Sequence, residues 1–146
     1  MQLSLTQKII IVTGGAKGIG LGIVKVLAEE NAIPFIVGRN ENDNIKAVEE
    51  LKAIGKEAYQ VAADLTKPED CKKAVEAVIA KFGRIDGLVN NAGVNDGVGL
   101  ENGNYEDFAA SLHKNLVHYY LMAQHALPYL KESKGAIVNI GSKTAE

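Results

Sequence analysis

A glycine-rich loop between a β-branched run and an amphipathic segment constrains the fold more than any other feature of the chain. Residues 8–13, KIIIVT, predict a short strand, and residues 13–20, TGGAKGIG, follow it without a gap. Residues 19–31 then place apolar side chains at helical spacing. A strand, a glycine turn and a helix in this order predict a βαβ unit, in which the free N–H groups of the helix N-terminus face the turn.

Three glycines give this loop its predicted function. Gly14 supplies the turn, Gly18 allows the backbone to approach a pyrophosphate, and Gly20 allows the helix to lie close to the sheet. The alternative is a glycine-rich turn without function. The strand–turn–helix context favours a dinucleotide site.

Strand-like and helical segments alternate through the rest of the chain. Apolar runs predict further strands at 33–37, 58–62, 88–90 and 136–140, and helical periodicity predicts helices at 43–54, 66–82 and 107–131. The strands are apolar throughout, which indicates a parallel sheet with helices on both faces. The sequence therefore predicts one α/β domain over residues 1–146. It is a doubly wound, Rossmann-like sheet that stops after its fifth strand and is incomplete at its C-terminal end.

Local signals refine these elements. Thr66-x-x-Glu69 predicts a capping box, and Asn31 predicts a left-handed helix stop. In the helix 43–54, the apolar stripe predicted to face the sheet consists of Ile45, Val48, Leu51 and Ile54. Pro34 fits an interior strand only near the start of that strand. Pro128 predicts a bend in the last helix.

Composition excludes several classes of function. The net charge of −2 provides no basic surface for nucleic acid, and no apolar run reaches the 18 residues of a membrane span. The single cysteine, Cys71, excludes an internal disulfide and suits a reducing, cytoplasmic location. The three histidines, His113, His118 and His125, lack the i, i+4 spacing of a helical zinc site, so we predict no metal centre.

The loop spacing T-G-x-x-x-G-x-G resembles that of the short-chain dehydrogenase/reductase family. Four more landmarks of that family follow in order: Asp64 after the third strand, Asn90-Asn91-Ala92-Gly93 after the fourth, Asn115 in the long helix and Ser142 after the fifth strand. The resemblance implies catalytic roles for Asn115 and Ser142. It also implies a nicotinamide cofactor held by Thr13, Gly14, Lys17, Gly18, Ile19, Gly20, Arg39, Asp64, Leu65, Asn91, Ala92 and Gly93.

The end of the second strand indicates which nicotinamide cofactor is bound. A carboxylate there would accept the adenosine ribose hydroxyls of NAD and repel a 2′-phosphate. The sequence instead has Gly38 followed by Arg39, whose guanidinium pairs well with phosphate, and Lys17 adds a second cation. Either cation alone could be an ordinary solvated surface charge. Together they favour NADP over NAD.

The acid–base pair of the family is missing from these 146 residues. In the family a tyrosine exchanges the substrate proton, and a lysine four residues later lowers the pKa of that tyrosine. No tyrosine of this sequence has a lysine four residues later. Either the sequence is the N-terminal part of a longer enzyme, which we favour, or it is a short relative that serves as a non-catalytic nucleotide-binding module. An edge left open at the fifth strand predicts low stability or cover from another chain.

The segments VNDGVGL, NLVHYYLMAQHALPYLK and NIGSKTA resemble bacterial L-fucose dehydrogenases, a branch of the same family. That resemblance implies a sugar or polyol substrate, with Asn95 and Ser142 beside it. Residues 95–97 could equally form a simple turn. The alternative substrate is a 3-oxoacyl thioester or another small ketone.

The helix 107–131 carries apolar side chains on more than one face. One face must cover the sheet, and the resemblance implies that a second face packs against the same helix of another subunit in a homodimer or homotetramer. The alternative is that this second face is buried under other parts of the same chain.

Overall fold

Five parallel strands form the sheet, in the order β3-β2-β1-β4-β5. The computed structural model describes residues 3–142, and the strands are β1 (Ile9–Thr13), β2 (Ile33–Gly38), β3 (Tyr59–Ala62), β4 (Gly87–Asn90) and β5 (Ala136–Asn139). The winding direction reverses between β1 and β4. In doubly wound sheets, ligands bind at the carboxyl ends of the strands beside such a reversal. The predicted doubly wound parallel sheet is confirmed.

Helices cover both faces of the sheet. They are α1 (Gly18–Glu29), α2 (Glu41–Ala53), α3 (Pro68–Phe82), α4 (Tyr105–Leu112), a π-helical turn (His113–Val117) and α5 (His118–Ser133). On one face, α3 and α5 bury an apolar core against the strands, and α1 and α2 bury a second core on the other face. These two cores explain why the central strands β1 and β4 are apolar except at their last residues, Thr13 and Asn90.

The prediction of one continuous helix over residues 107–131 is wrong in its bounds and in its continuity. Asn104 caps the start of α4, because its Oδ1 accepts a hydrogen bond from the Asp107 N–H at 2.8 Å. The helix therefore begins earlier than the predicted residue 107, and α5 ends later than residue 131. Pro128 lies inside α5, whereas the interruption falls at residues 113–117.

The predicted capping box at Thr66 is also wrong. The cap residue of α3 is Lys67, and it makes no side-chain cap bond. The Thr66 hydroxyl instead donates to Asp64 Oδ1 at 2.6 Å, and the Thr66 N–H donates to the same oxygen at 3.0 Å. Pro68 occupies the first turn of α3.

The buried stripe of α2 differs from the prediction. Val48 and Leu51 are buried, but Ile45 is 38% and Ile54 63% exposed. The buried face continues instead through Ala47 and the polar Asn44.

Two other local predictions are correct. Pro34 is the second residue of β2 and precedes the first pair of the β2–β3 ladder, which joins Phe35 to Tyr59. Its missing N–H therefore lies outside that ladder. Asn31 adopts a left-handed conformation with φ of 65°.

Candidate functional site

A cavity of about 750 Å³ opens at the carboxyl ends of the central strands. Ten of the residues predicted from the sequence line it: Gly14, Lys17, Gly18, Ile19, Arg39, Asp64, Leu65, Asn91, Ala92 and Gly93. Thr13, Gly20, Asn95, Asn115 and Ser142 are not among its lining residues. The structure therefore brings ten of the twelve predicted cofactor residues together around one cavity. Asn115 lies directly beside it, because its Oδ1 accepts a hydrogen bond from the N–H of Val94, which lines the cavity.

The glycine loop presents bare backbone to this cavity. Gly14 and Gly18 have φ of 64° and 55°, a left-handed conformation that glycine adopts readily. Helix α1 begins at Gly18 with no side-chain cap and no acidic residue in its first turn. Its first N–H groups therefore have no side-chain acceptor, and they can bind an anionic phosphate.

Gly20 supports the loop from below. A Cβ at this position would lie 2.6 Å from Asn91 Nδ2 and would collide with the Gly14 carbonyl oxygen. The helix can approach the loop this closely only because residue 20 has no side chain. Gly20 thus shapes the site without lining it.

Thr13 joins the ends of β1 and β4, a role that the sequence analysis missed. Its hydroxyl accepts hydrogen bonds from the N–H groups of Asn91 at 2.9 Å and Ala92 at 3.0 Å. The side-chain amide of Asn91 also donates a hydrogen bond to the Thr13 carbonyl oxygen at 3.1 Å. Thr13 is fully buried, so it holds the loops that line the cavity and is not itself a wall of it.

The charged residues that line the cavity include Lys17, Arg39 and Asp43. The Lys17 ammonium lies 3.0 Å from the Asp43 carboxylate, which offsets its charge. Within residues 3–142, Arg39 takes part in none of the four ion pairs. Arg39 is therefore a cavity cation that no ion pair in residues 3–142 neutralises, as is Lys114, and Asp43 is a lining residue that was not predicted from the sequence.

Asp64 lies on the same side of the cavity as Arg39. Hydrogen bonds from the side chain and then the backbone of Thr66 lower the pKa of its carboxyl group, and the positive charges of Lys67 and Arg39 act in the same direction. The carboxylate is thus ionised at neutral pH and its Oδ1 is fixed by Thr66.

Asn115 fastens the loop after β4 to the π-helical turn. Its Oδ1 accepts a hydrogen bond from the Val94 N–H at 2.7 Å, and its Nδ2 donates to the Ser111 carbonyl at 3.1 Å. The side chain is therefore engaged in holding the loop. π-Helical turns occur often at functional sites, because they displace the regular helical hydrogen bonds. Asn95, next along the loop, and Ser142, after β5, are both exposed.

The helical segment after the β4 loop contributes two further lining residues that were missed: Lys114 and His118. Burial lowers the pKa of His118, whose Nε2 lies 2.8 Å from the Lys114 carbonyl oxygen. Their positions follow from the π-helical turn, which the sequence pattern does not reveal.

Cys71 is buried, and burial is the main reason that the pKa of its thiol rises to about 11. The thiolate that a nucleophile requires is scarce at neutral pH. Across residues 3–142, no three His, Cys, Asp or Glu side chains are grouped to hold a metal ion. In the same part of the chain, no helix combines the length and apolar character needed to cross a membrane.

Sequence comparison extends these observations. The profile of the short chain dehydrogenase family matches residues 8–146. Similar proteins include a 12alpha-hydroxysteroid dehydrogenase of Clostridium sp. (37% identity, 92% of this chain, 55% of the relative) and the L-fucose dehydrogenase of Bos taurus (35%, 92% and 49%). The 3-oxoacyl-[acyl-carrier-protein] reductase FabG of Chlamydia pneumoniae is 33% identical over 100% of this chain and 59% of its own. The chain spans about half the length of these relatives.

Solved structures show the same correspondence. The crystal structure of Cj0485 dehydrogenase matches 99% of this chain and 55% of its own, with 42% identity and a TM-score of 0.89. The NADH-dependent reductase A1-R' complexed with NAD matches with 28% identity and a TM-score of 0.90, covering 98% and 62%. A metagenomic short-chain oxidoreductase in complex with NADP matches with 32% identity and a TM-score of 0.89, covering 95% and 64%. The chain therefore belongs to the short-chain dehydrogenase family.

Proposed function

We propose that the protein is an NADP-dependent oxidoreductase that interconverts an alcohol or hemiacetal and a carbonyl. The observation that carries this proposal is the cavity at the strand ends, where the uncapped N-terminus of α1 and Arg39 line one continuous space. The helix end suits the pyrophosphate, and Arg39 suits a second phosphate. When bound, the nicotinamide supplies or accepts a hydride.

The choice of NADP over NAD is supported by the end of β2. Gly38 supplies no carboxylate for the ribose hydroxyls, and Arg39 has no ion-pair partner in residues 3–142. The structural relatives include one complex with NAD and one with NADP, so the family alone leaves both open. The charge of Lys17 contributes less than that of Arg39, because Asp43 offsets it.

Besides the cofactor and a proton donor, catalysis requires one group that orients the substrate and one that supports a relay water, and we assign these two tasks to Ser142 and Asn115. The hydroxyl of Ser142 would orient the substrate oxygen, and Asn115 would support a proton-relay water. The proton itself needs a tyrosine and a lysine in the Tyr-x-x-x-Lys pattern, which these 146 residues do not contain. We therefore propose that these residues alone bind the cofactor but do not complete the reaction. The alternative function is a non-catalytic nucleotide-binding module.

For the substrate we propose a sugar or polyol such as L-fucose. Asn95 lies in the exposed loop after β4, where its amide could bond sugar hydroxyls, and the similarity to the L-fucose dehydrogenase of Bos taurus supports this class. The second candidate is a 3-oxoacyl thioester or small ketone, supported by the similarity to FabG. The full-length protein that we expect to contain these 146 residues is called the full chain below. Its steady-state rates with L-fucose and with acetoacetyl thioester separate the two candidates.

We propose assembly into a homodimer or homotetramer through the exposed apolar face of α4, the π-helical turn and α5. Its exposed apolar residues are Tyr105, Phe108, Leu112, Leu116, Tyr120 and Leu127. Exposed apolar patches of this kind mark contact surfaces. Sedimentation of the full chain tests this, with Leu116→Glu expected to give monomers.

We also propose a cytoplasmic location. The only cysteine of the sequence is a buried thiol, which is compatible with a reducing compartment. Cell fractionation of the tagged full chain would test the location.

Binding measurements on the full chain test the cofactor assignment. NADPH should bind more tightly than NADH, and Arg39→Gln should weaken NADPH by about tenfold or more while changing NADH little, because it removes a charged hydrogen bond to the 2′-phosphate. Lys131→Gln is the matched control, since it removes one positive charge from the last turn of α5, at the opposite end of the sheet. Tighter binding of NADH to the wild type would overturn the assignment.

A further inference from the structure

Gly38 and Asn44 form a close pair on the wall of the cavity. Gly38 is the last residue of β2, Asn44 lies near the start of α2, and both line the cavity. Asn44 is fully buried, although the face of α2 on which it lies is otherwise apolar. A buried amide is unfavourable unless hydrogen bonds compensate for the lost water, so its contacts matter.

The orientation of the Asn44 amide is fixed by three acceptors. Its Nδ2 lies 3.0 Å from the Gly38 carbonyl oxygen, 3.3 Å from Gln60 Oε1 and 3.3 Å from the Val61 carbonyl oxygen. A flipped amide would place an oxygen against all three. Oδ1 therefore occupies the other position, where it has no hydrogen-bond partner among residues 3–142.

Oδ1 fills the space that a side chain at position 38 would need. A Cβ on Gly38 would lie 2.6 Å from Oδ1 and 3.4 Å from the Asn44 Cγ. Gly38 does not have the left-handed φ seen at Gly14 and Gly18, so the neighbour, not the backbone conformation, requires glycine here. Moving Asn44 aside would break its bonds to the ends of both β2 and β3.

We propose that Asn44 is a positioning residue for cofactor choice. It keeps position 38 free of any side chain and thereby excludes a carboxylate from the place beside the adenosine ribose. An acid there would accept the ribose hydroxyls of NAD and repel a 2′-phosphate. The space next to Arg39 stays open to the phosphate instead. This inference rests on the proposed function, because the ribose and the 2′-phosphate are assigned there to this end of the cavity.

Four variants of the full chain test the inference: Gly38→Asp, Asn44→Ala, the double variant of both, and Gly38→Asp with Gln60→Ala. The last is the matched control, since it removes one acceptor of the Asn44 amide without opening space at position 38. Gly38→Asp alone should lower the melting temperature by about 5 °C, as overpacking does. The double variant should recover part of this loss and bind NADH about tenfold more tightly than Gly38→Asp alone. The control should behave like Gly38→Asp.

The outcomes separate this inference from the cofactor assignment. Wild type that prefers NADH contradicts the assignment of NADP. The melting temperatures of the four variants need no nucleotide, so they test the Asn44 contact in either case. The role of Asn44 would be overturned if the Gly38→Asp variant were as stable as wild type and bound NADH as tightly as the double variant does. Equal rescue by Gln60→Ala would also overturn it.

Discussion

Val89 and Val138 are register partners in neighbouring parallel strands, yet their surroundings differ sharply. Val89, in β4, is 9% exposed, whereas Val138, in β5, is 50% exposed. All residues of β1 and β4 are buried and all residues of β5 are exposed. The predicted cofactor residues lie at or after the carboxyl ends of β1 to β4, and Ser142 follows the exposed strand β5. Residues 3–142 therefore cover the central strands β1 and β4, which lead to the proposed cofactor cavity, far more fully than β5, which leads to Ser142.

The largest effect is expected at Gly20, which allows α1 to lie close to Gly14 and Asn91. Gly20→Ala places a methyl group against the Gly14 carbonyl and Asn91. We expect the free energy of unfolding to fall by about 2–3 kcal/mol and the affinity for NADPH to fall by about 100-fold, since the phosphate loop must move. Calorimetric titration and thermal unfolding measure the two effects.

Gly22→Ala is the matched control on the same helix. A Cβ at Gly22 meets no atom within 4 Å, so the substitution should stabilise α1 by about 0.5–1 kcal/mol and leave NADPH binding unchanged. Equal losses at positions 20 and 22 would show that helix composition, not the close approach at Gly20, is responsible.

Thr13→Val should have the next largest effect. It preserves shape but removes the oxygen that accepts from the N–H groups of Asn91 and Ala92. Leaving two partly buried donors unpaired should lower the free energy of unfolding by about 2 kcal/mol, as measured by urea denaturation. Thr13→Ser keeps the hydroxyl and should be near wild type. Similar losses in both variants would assign the effect to packing instead.

The contrast between the two valines can be measured directly in the 146-residue chain. Val89→Ala should lower the free energy of unfolding by about 2 kcal/mol, because it empties a packed site. Val138→Ala should change it by less than about 0.5 kcal/mol, as expected for an exposed side chain. Equal losses from urea denaturation would show that β5 is covered in solution.

The smallest effect is expected at Asp86, which lies beside the first residues of β1 and β4, at the end of the sheet opposite the cavity. Burial would raise the pKa of the Asp86 carboxyl, but hydrogen bonds from Arg84 and the Ile9 N–H outweigh burial and lower it. A lowered folded pKa means that the stabilisation is present above the ordinary carboxyl value of about 4 and is lost as pH falls through the folded value. The loss should be below about 1 kcal/mol, since Arg84 is half exposed.

Denaturation between pH 7 and pH 2 measures this effect. Asp86→Asn cannot ionise, so its stability should vary less with pH over the acid range. A wild type and variant with the same acid dependence would contradict a role for this carboxylate.

The sequence predicted the sheet and ten of the 21 residues that line the cavity, because those features depend on local patterns. Apolar runs identified all five strands, and the glycine spacing located the loop. The hydrogen bonds that the buried Thr13 hydroxyl accepts from Asn91 and Ala92 could not be predicted, since they depend on how closely the ends of β1 and β4 approach each other. Thr66 was misassigned because Asp64, two residues earlier, competes for its hydroxyl.

The helices were harder to predict than the strands for a related reason. Ile45 and Ile54 fit a helical stripe, but the packing of α2 buries Asn44 and Ala47 instead. The π-helical turn at residues 113–117 adds a residue to a turn without any sequence signature. It brings Lys114 and His118 to the cavity, so these two lining residues emerge only in three dimensions.

The most direct test of the account is nucleotide binding and turnover by the 146-residue chain in a sample whose far-UV circular dichroism shows it to be folded. The account predicts that NADPH binds, more tightly than NADH, while L-fucose and acetoacetyl thioester are not converted at a detectable rate. Turnover of either substrate, or a folded chain that binds neither nucleotide, would contradict the claim that this part of the protein contains the cofactor site without the complete catalytic site.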